Sequence, residues 1–129
     1  MPQSIESKYL EAEDKYDKAE DAVRNSDLHT AQILLREVIE LNPKFSYAYI
    51  LLARVYWKSG FTDKAKQILE KCISIDRSFG YSYYLLAKYT RADNDIKLSD
   101  EYISRGLKNS PEDDRLQRIH RILKNIRRK

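Results

Sequence analysis

The sequence predicts an all-α protein built from stacked helical repeats, and three observations carry that prediction. The first is a repeated phrase. "FSYAYILLARVY" at residues 45–56 returns 34 residues later as "FGYSYYLLAKYT" at residues 79–90, with Phe, two Tyr, two Leu and Ala kept at aligned positions. A period of about 20–50 residues marks a stack of supersecondary units. The second is composition: only three Gly and three Pro punctuate 129 residues. That is too few for the tight turns of an all-β chain, while Ala, Leu, Glu, Lys, Arg and Gln, all good helix formers, are plentiful between them. The third is spacing within a unit. Tyr49, Leu52, Ala53 and Tyr56 recur at i, i+3, i+4 and i+7, one face of a helix. The length suits one ordinary domain, so residues 1–129 read as a single domain.

The elements follow in order. The first helix contains "EAEDKYDKAED", residues 11–21, a solvated face with i,i+4 pairs Glu11–Lys15 and Asp14–Lys18. It lacks the alternating oxygen ligands and central Gly of a calcium loop. Small residues at one phase, Ala19, Ala53 and Ala87, mark close approaches between helices. Two further triplets, Ala31, Ala65 and Ser99 and then Val38, Cys72 and Gly106, fall in the second helix of each unit. The third helix ends at "KSGF", residues 58–61, where Gly60 can take the left-handed conformation that closes helices. Thr62 or Asp63 is placed to cap the fourth helix, whose buried face is Ala65, Ile68, Leu69, Cys72 and Ile75. The fifth helix carries the second copy of the phrase and breaks at "ADND", residues 92–95. There Asn94 takes the place of Gly60, Asn being the next most tolerant residue. After the sixth helix, "SPEDDRLQRIHRILKNIRRK" opens with Ser110 as N-cap, Pro111 at the first helical position and Asp113 three residues past the cap. Leu116, Ile119, Leu123 and Ile126 then form an apolar stripe. Residues 112–127 read as the terminal helix that a stack needs to cover its last repeat. The count is seven helices.

These residues resemble the tetratricopeptide repeat family. Its pattern runs aromatic, leucine, small residue and tyrosine in a first helix, then a turn, alanine, a bulky residue, alanine and a late proline. Residues 46–79 supply Tyr49, Leu52, Ala53, Tyr56, Gly60, Ala65, Leu69 and Cys72, with Arg77 replacing the proline. Residues 80–113 supply Tyr83, Leu86, Ala87, Asn94, Ser99, Ile103, Gly106 and Pro111, with Thr90 departing from tyrosine. Residues 12–45 supply Ala19, Ala31, Leu35, Val38 and "ELNP", but Lys15 and Lys18 stand where an aromatic and a leucine belong. The resemblance implies a right-handed α-solenoid of three helix–turn–helix repeats, at about 12–45, 46–79 and 80–113, plus the capping helix.

No residue set points to catalysis. His29 sits at a predicted turn and His120 among arginines of the last helix, with no metal-ligand spacing between them. Cys72 falls at a small interhelical position and reads as a packing thiol. Three glycines build no phosphate loop. The expectation is a protein that is not an enzyme and takes no cofactor or metal. The longest apolar run, "YAYILLA", is seven residues, too short to span a bilayer. The polar N-terminus shows no secretory signal and a lone cysteine suits a reducing compartment, so a cytoplasmic location is expected.

The resemblance also implies where a partner binds. First helices of successive repeats line a concave groove in this family. Carried over by position, the first repeat contributes Glu13, Tyr16, Glu20 and Val23, the second Tyr47, Ile50, Arg54 and Trp57, and the third Tyr81, Tyr84, Lys88 and Arg91. Tyr, Trp and Arg dominate binding hot spots, so a peptide or protein segment with acidic and hydrophobic groups is the expected ligand, and the molecule an adaptor or scaffold. The clamp by which some members hold heat-shock-protein carboxylates is absent: its positions are Tyr16, Glu20, Leu51, Tyr81 and Leu85. Charge leaves two alternatives open. Residues 1–27 carry eight acids against four bases, while residues 115–129 carry seven bases and no acid. Arg118, Arg121, Lys124 and Arg128 could bind nucleic acid or another acidic surface, although residues 111–129 hold no aromatic to stack a base. Alternatively, the acidic end of one copy could meet the basic end of another.

Overall fold

The computed structural model describes residues 2–127; Arg128 and Lys129, the end of the basic run, lie outside the described residues. Among the described residues there are seven helices and no strand. In chain order they are α1 (Ile5–Arg24), α2 (Leu28–Leu41), α3 (Ser46–Lys58), α4 (Thr62–Ile75), α5 (Gly80–Ala92), α6 (Ile96–Asn109) and α7 (Asp114–Arg127). Their boundaries repeat the sequence period: α3, α5 and α7 start at residues 46, 80 and 114, and α2, α4 and α6 at residues 28, 62 and 96.

The turns show why. Ser26, Gly60 and Asn94 have φ of 60°, 88° and 63°, the left-handed conformation that reverses the chain after a helix. The N–H of the residue after each then reaches back to a helix carbonyl, Asp27 to Ala22 (2.8 Å), Phe61 to Tyr56 (2.9 Å) and Asp95 to Thr90 (2.9 Å). Gly60 and Asn94 were expected there; Ser26 shares their phase but carries no composition signal. Asp27 and Asp95 cap α2 and α6 through their carboxylates, accepting from the Thr30 and Leu98 N–H groups at 3.3 and 3.2 Å. Phe61 holds the equivalent place before α4, with its carbonyl taking the Ala65 N–H at 3.0 Å. Thr62 and Asp63, expected as caps, are instead inside the first turn.

The chain divides into two compact units, residues up to Ile68 and residues from Leu69. In the first, α1 packs on α2 and α2 on α3. Its core is Ala12, Ala19, Ala31, Leu35, Val38, Tyr49, Leu52 and Ala53. Small residues along α1 let α2 approach closely. Lys15 does not pair with Glu11 as the helix spacing suggests; its ammonium bonds Glu37 of α2 at 2.6 Å, because its side of α1 faces that helix. In the second unit α5 packs on α6, and α7 on both. Tyr83, Leu86, Ala87, Ser99, Ile103 and Leu116 are buried there. A Cβ built on Gly106 would lie 2.7 Å from both the Tyr83 Cβ and a Leu116 methyl, so only glycine admits that approach. Thr90, the departure from tyrosine, is buried and donates to the Leu86 carbonyl at 2.7 Å.

Helix α7 begins two residues later than its sequence suggests. Ser110 closes α6 by donating its N–H to Gly106 O at 2.7 Å, and Asp113 is the true cap, its carboxylate taking the Leu116 N–H at 2.9 Å. Of its expected stripe Leu116 is fully buried, Ile119 and Leu123 are half-buried, and Ile126 is exposed. Ile75 of α4 is likewise exposed rather than buried. None of the described helices is long and apolar enough to cross a membrane.

Candidate partner-binding surfaces

In the first unit, α1 and α3 bring Tyr16, Glu20, Tyr47 and Arg54 into one electrostatic neighbourhood. Tyr16 stacks on Phe45, ring centroids 4.8 Å apart and planes 11° from parallel. Burial pushes its phenol up to about 12; Glu20 adds to that rise and Arg54 opposes it. Tyr16 thus stays neutral in any physiological buffer and offers a half-buried ring with a protonated tip. Tyr47 is 53% exposed, Arg54 is exposed and Trp57 half-buried. Ile50 is different. It is 2% exposed, so it supports this face from beneath and offers it no area. Phe45, kept as Phe79 in the repeated phrase, was not among the binding residues expected from the sequence.

In the second unit, the face of α5 forms a run of rings and cations. Tyr81 lies 6.2 Å from Tyr84 and 6.4 Å from Phe79, tilted in both cases. Lys88 sits 5.4 Å over the Tyr84 ring. From α7, the Arg115 guanidinium lies 4.0 Å over the Tyr81 ring, close enough for a cation–π contact. Arg91 behaves differently from Lys88. Its guanidinium bonds Ser99 Oγ at 3.3 Å and Asp100 at 2.9 Å, and Asp100 also takes two bonds from Arg127 at 2.8 and 2.7 Å. Arg91 is therefore spent on tying α5 to α6.

One further cleft in the second unit, about 530 Å³, is lined by Glu70, Ile73, Ser74, Arg77, Tyr83, Arg105, Lys108 and Asn109. Its polar groups already serve one another. Tyr83 donates to Arg77 O at 3.0 Å, Arg105 lies 3.8 Å from Glu70 and close to the Tyr83 and Tyr102 rings, and Glu70 accepts from Tyr102. Among the described residues no cluster of three or more His, Cys, Asp or Glu could hold a metal.

Paired helices that restart every 34 residues, small residues at fixed phase and a left-handed turn at the same interval are what a tetratricopeptide repeat requires. The model of that family matches residues 22–89, more than half of the chain. The chain belongs to the tetratricopeptide repeat family. Solved structures of tetratricopeptide repeat proteins share its fold. MamA is 26% identical with a TM-score of 0.71 over 76% of this chain and 57% of MamA, so this chain spans under two thirds of that protein. The Arabidopsis OM64 tetratricopeptide domain is 17% identical with a TM-score of 0.76, over 92% of this chain and 98% of that one. The first tetratricopeptide domain of Spaghetti (RPAP3), solved with the HSP90 peptide SRMEEVD, is 12% identical with a TM-score of 0.75, over 94% and 96% of the two chains. At those last two identities the likeness concerns the fold alone. No curated protein sequence matches the chain.

Proposed function

We propose that this tetratricopeptide repeat protein is a non-catalytic interaction module that receives a peptide, or a segment of a partner protein, on the exposed faces of its first helices. The observation that carries this is the chemistry of those faces. In the first unit Tyr47, Arg54 and Trp57 present rings and a cation, beside Tyr16 and Glu20. In the second, Tyr81 and Tyr84 lie in contact with cations. Rings with polar tips bury much area at little conformational cost, and cations beside them select acidic side chains. The favoured partner segment is therefore acidic and hydrophobic. A heat-shock-protein carboxylate is disfavoured, since two of the five clamp positions, Leu51 and Leu85, are apolar and buried.

The test is a pull-down from the source cells at low and high salt, with nuclease-treated controls, comparing wild type with Trp57→Ala/Tyr84→Ala. A protein band lost in the variant, with its thermal melt unchanged, supports the reading. A band that survives the variant and disappears when the cations of α7 are removed moves the function to that helix. Such a band would also weaken steeply with salt.

A further inference from the structure

We infer that α7 is a receiving helix as well as a cap: the face that α5 and α7 share binds an acidic peptide segment, with Arg115 and Arg118 gripping its carboxylates. This rests on the reading above and gives it a site and a ligand class.

The first ground is register. Helix α7 is built like α3 and α5, not as an appended tail. Phe45, Phe79 and Asp113 occupy the same capping position one period apart. Tyr49 donates its hydroxyl to Pro43 O at 2.6 Å and Tyr83 donates to Arg77 O at 3.0 Å. One period on, the Gln117 amide makes the same bond to Pro111 O at 2.6 Å. A glutamine therefore copies the tyrosine latch, and α7 takes the place of a first helix in an unfinished repeat. Arg115 and Arg118 consequently stand at the phases of Tyr81 and Tyr84, the positions already assigned to binding on α5.

The second ground is charge. Arg91, Arg105 and Arg127 all lie against carboxylates, Asp100 or Glu70. Among the described residues no carboxylate pairs with Lys88, Arg115 or Arg118. Asp114, one turn before Arg118, does not pair with it, and Asp113 is committed to the Leu116 N–H. Unneutralised cations on one partly aromatic face create a local positive potential, and a guanidinium lying over a ring keeps N–H donors at its rim for a carboxylate. A single-stranded nucleic acid would use the same cations for its phosphates and gains further affinity where open ring faces let its bases stack. Here Arg115 and Lys88 already lie over Tyr81 and Tyr84. The face therefore suits carboxylates interspersed with apolar side chains.

The experiment titrates the full ¹⁵N-labelled chain with a synthetic peptide of about twelve residues alternating Asp, Phe and Glu, sized to span two helices at roughly 3.3 Å per residue. A peptide with Lys replacing each acid and an oligothymidine of similar length are run in parallel. Amide shifts centred on Tyr81, Tyr84, Arg115 and Arg118, and binding at least about tenfold weaker in Arg115→Gln/Arg118→Gln with an unchanged melt, are the expected result. Shifts centred on Arg54 and Trp57, with affinity unaltered in that variant, would overturn the α7 site and leave the general reading standing. Oligothymidine binding as tightly as the acidic peptide would overturn the ligand class. No response to the acidic peptide overturns the inference, and no response to either peptide counts against the general reading as well.

Discussion

Ser82 shows how one atom can work against its surroundings. It lies in the first turn of α5, fully buried, and its hydroxyl finds no hydrogen-bond partner. Thr90, also buried but more than two turns further along α5, solves the same problem by donating to Leu86 O, and Ser99 does so by donating to Ala87 O at 2.8 Å. One period before Ser82 the same position is Ala48, also buried. Ser82→Ala removes an unsatisfied donor and puts there the residue that the preceding repeat carries, so it should stabilise the protein by about 1–2 kcal/mol. Chemical denaturation of the two proteins side by side checks this, and a loss of stability would mean the hydroxyl has a partner.

Between elements, the deciding quantity is the distance at which paired helices pass. Ala53 and Ala87 are both fully buried, each at the small-residue phase of its first helix. Ala53→Leu and Ala87→Leu should each overpack that approach and cost about 1–3 kcal/mol. Equal melting temperatures for both variants and wild type would show that the helices do not meet at this register. The small-residue triplets were legible because a close approach leaves its mark on residue size at a fixed phase. The caps were less legible. Ser110 and Asp113 both belong to the residue class that caps helices, and the choice between them depended on which one the preceding helix used to end itself. The same ambiguity hid the role of Phe61, which caps with its backbone alone.

For the molecule as a whole, the terminal helix closes the second unit. Leu116 is fully buried, one of its methyls passes close to Gly106, and Arg127 holds Asp100. A chain ending at Asn109 should lose amide-exchange protection in α5 and α6 well beyond the residues removed, while α1 to α3, which belong to the other compact unit, keep theirs. Uniform protection in α5 and α6 after truncation would show that α7 covers nothing they need.

The sequence by itself determined the helical class, the period and the turn positions at Gly60 and Asn94. All of these are local: helix period, left-handed turns and residue size act within a few residues and repeat with the chain. Only the tertiary structure decided which candidates present usable surface. Ile50 is turned inward and Arg91 is held by Asp100, whereas Arg115, legible in the sequence only as one base of the terminal run, lies over Tyr81. Phase alone gives Arg115 the repeat position of Tyr47 and Tyr81, but phase says nothing of pairing. A long cationic side chain takes whichever carboxylate or ring the packed helices bring within reach, and that choice is made by helices distant in the chain.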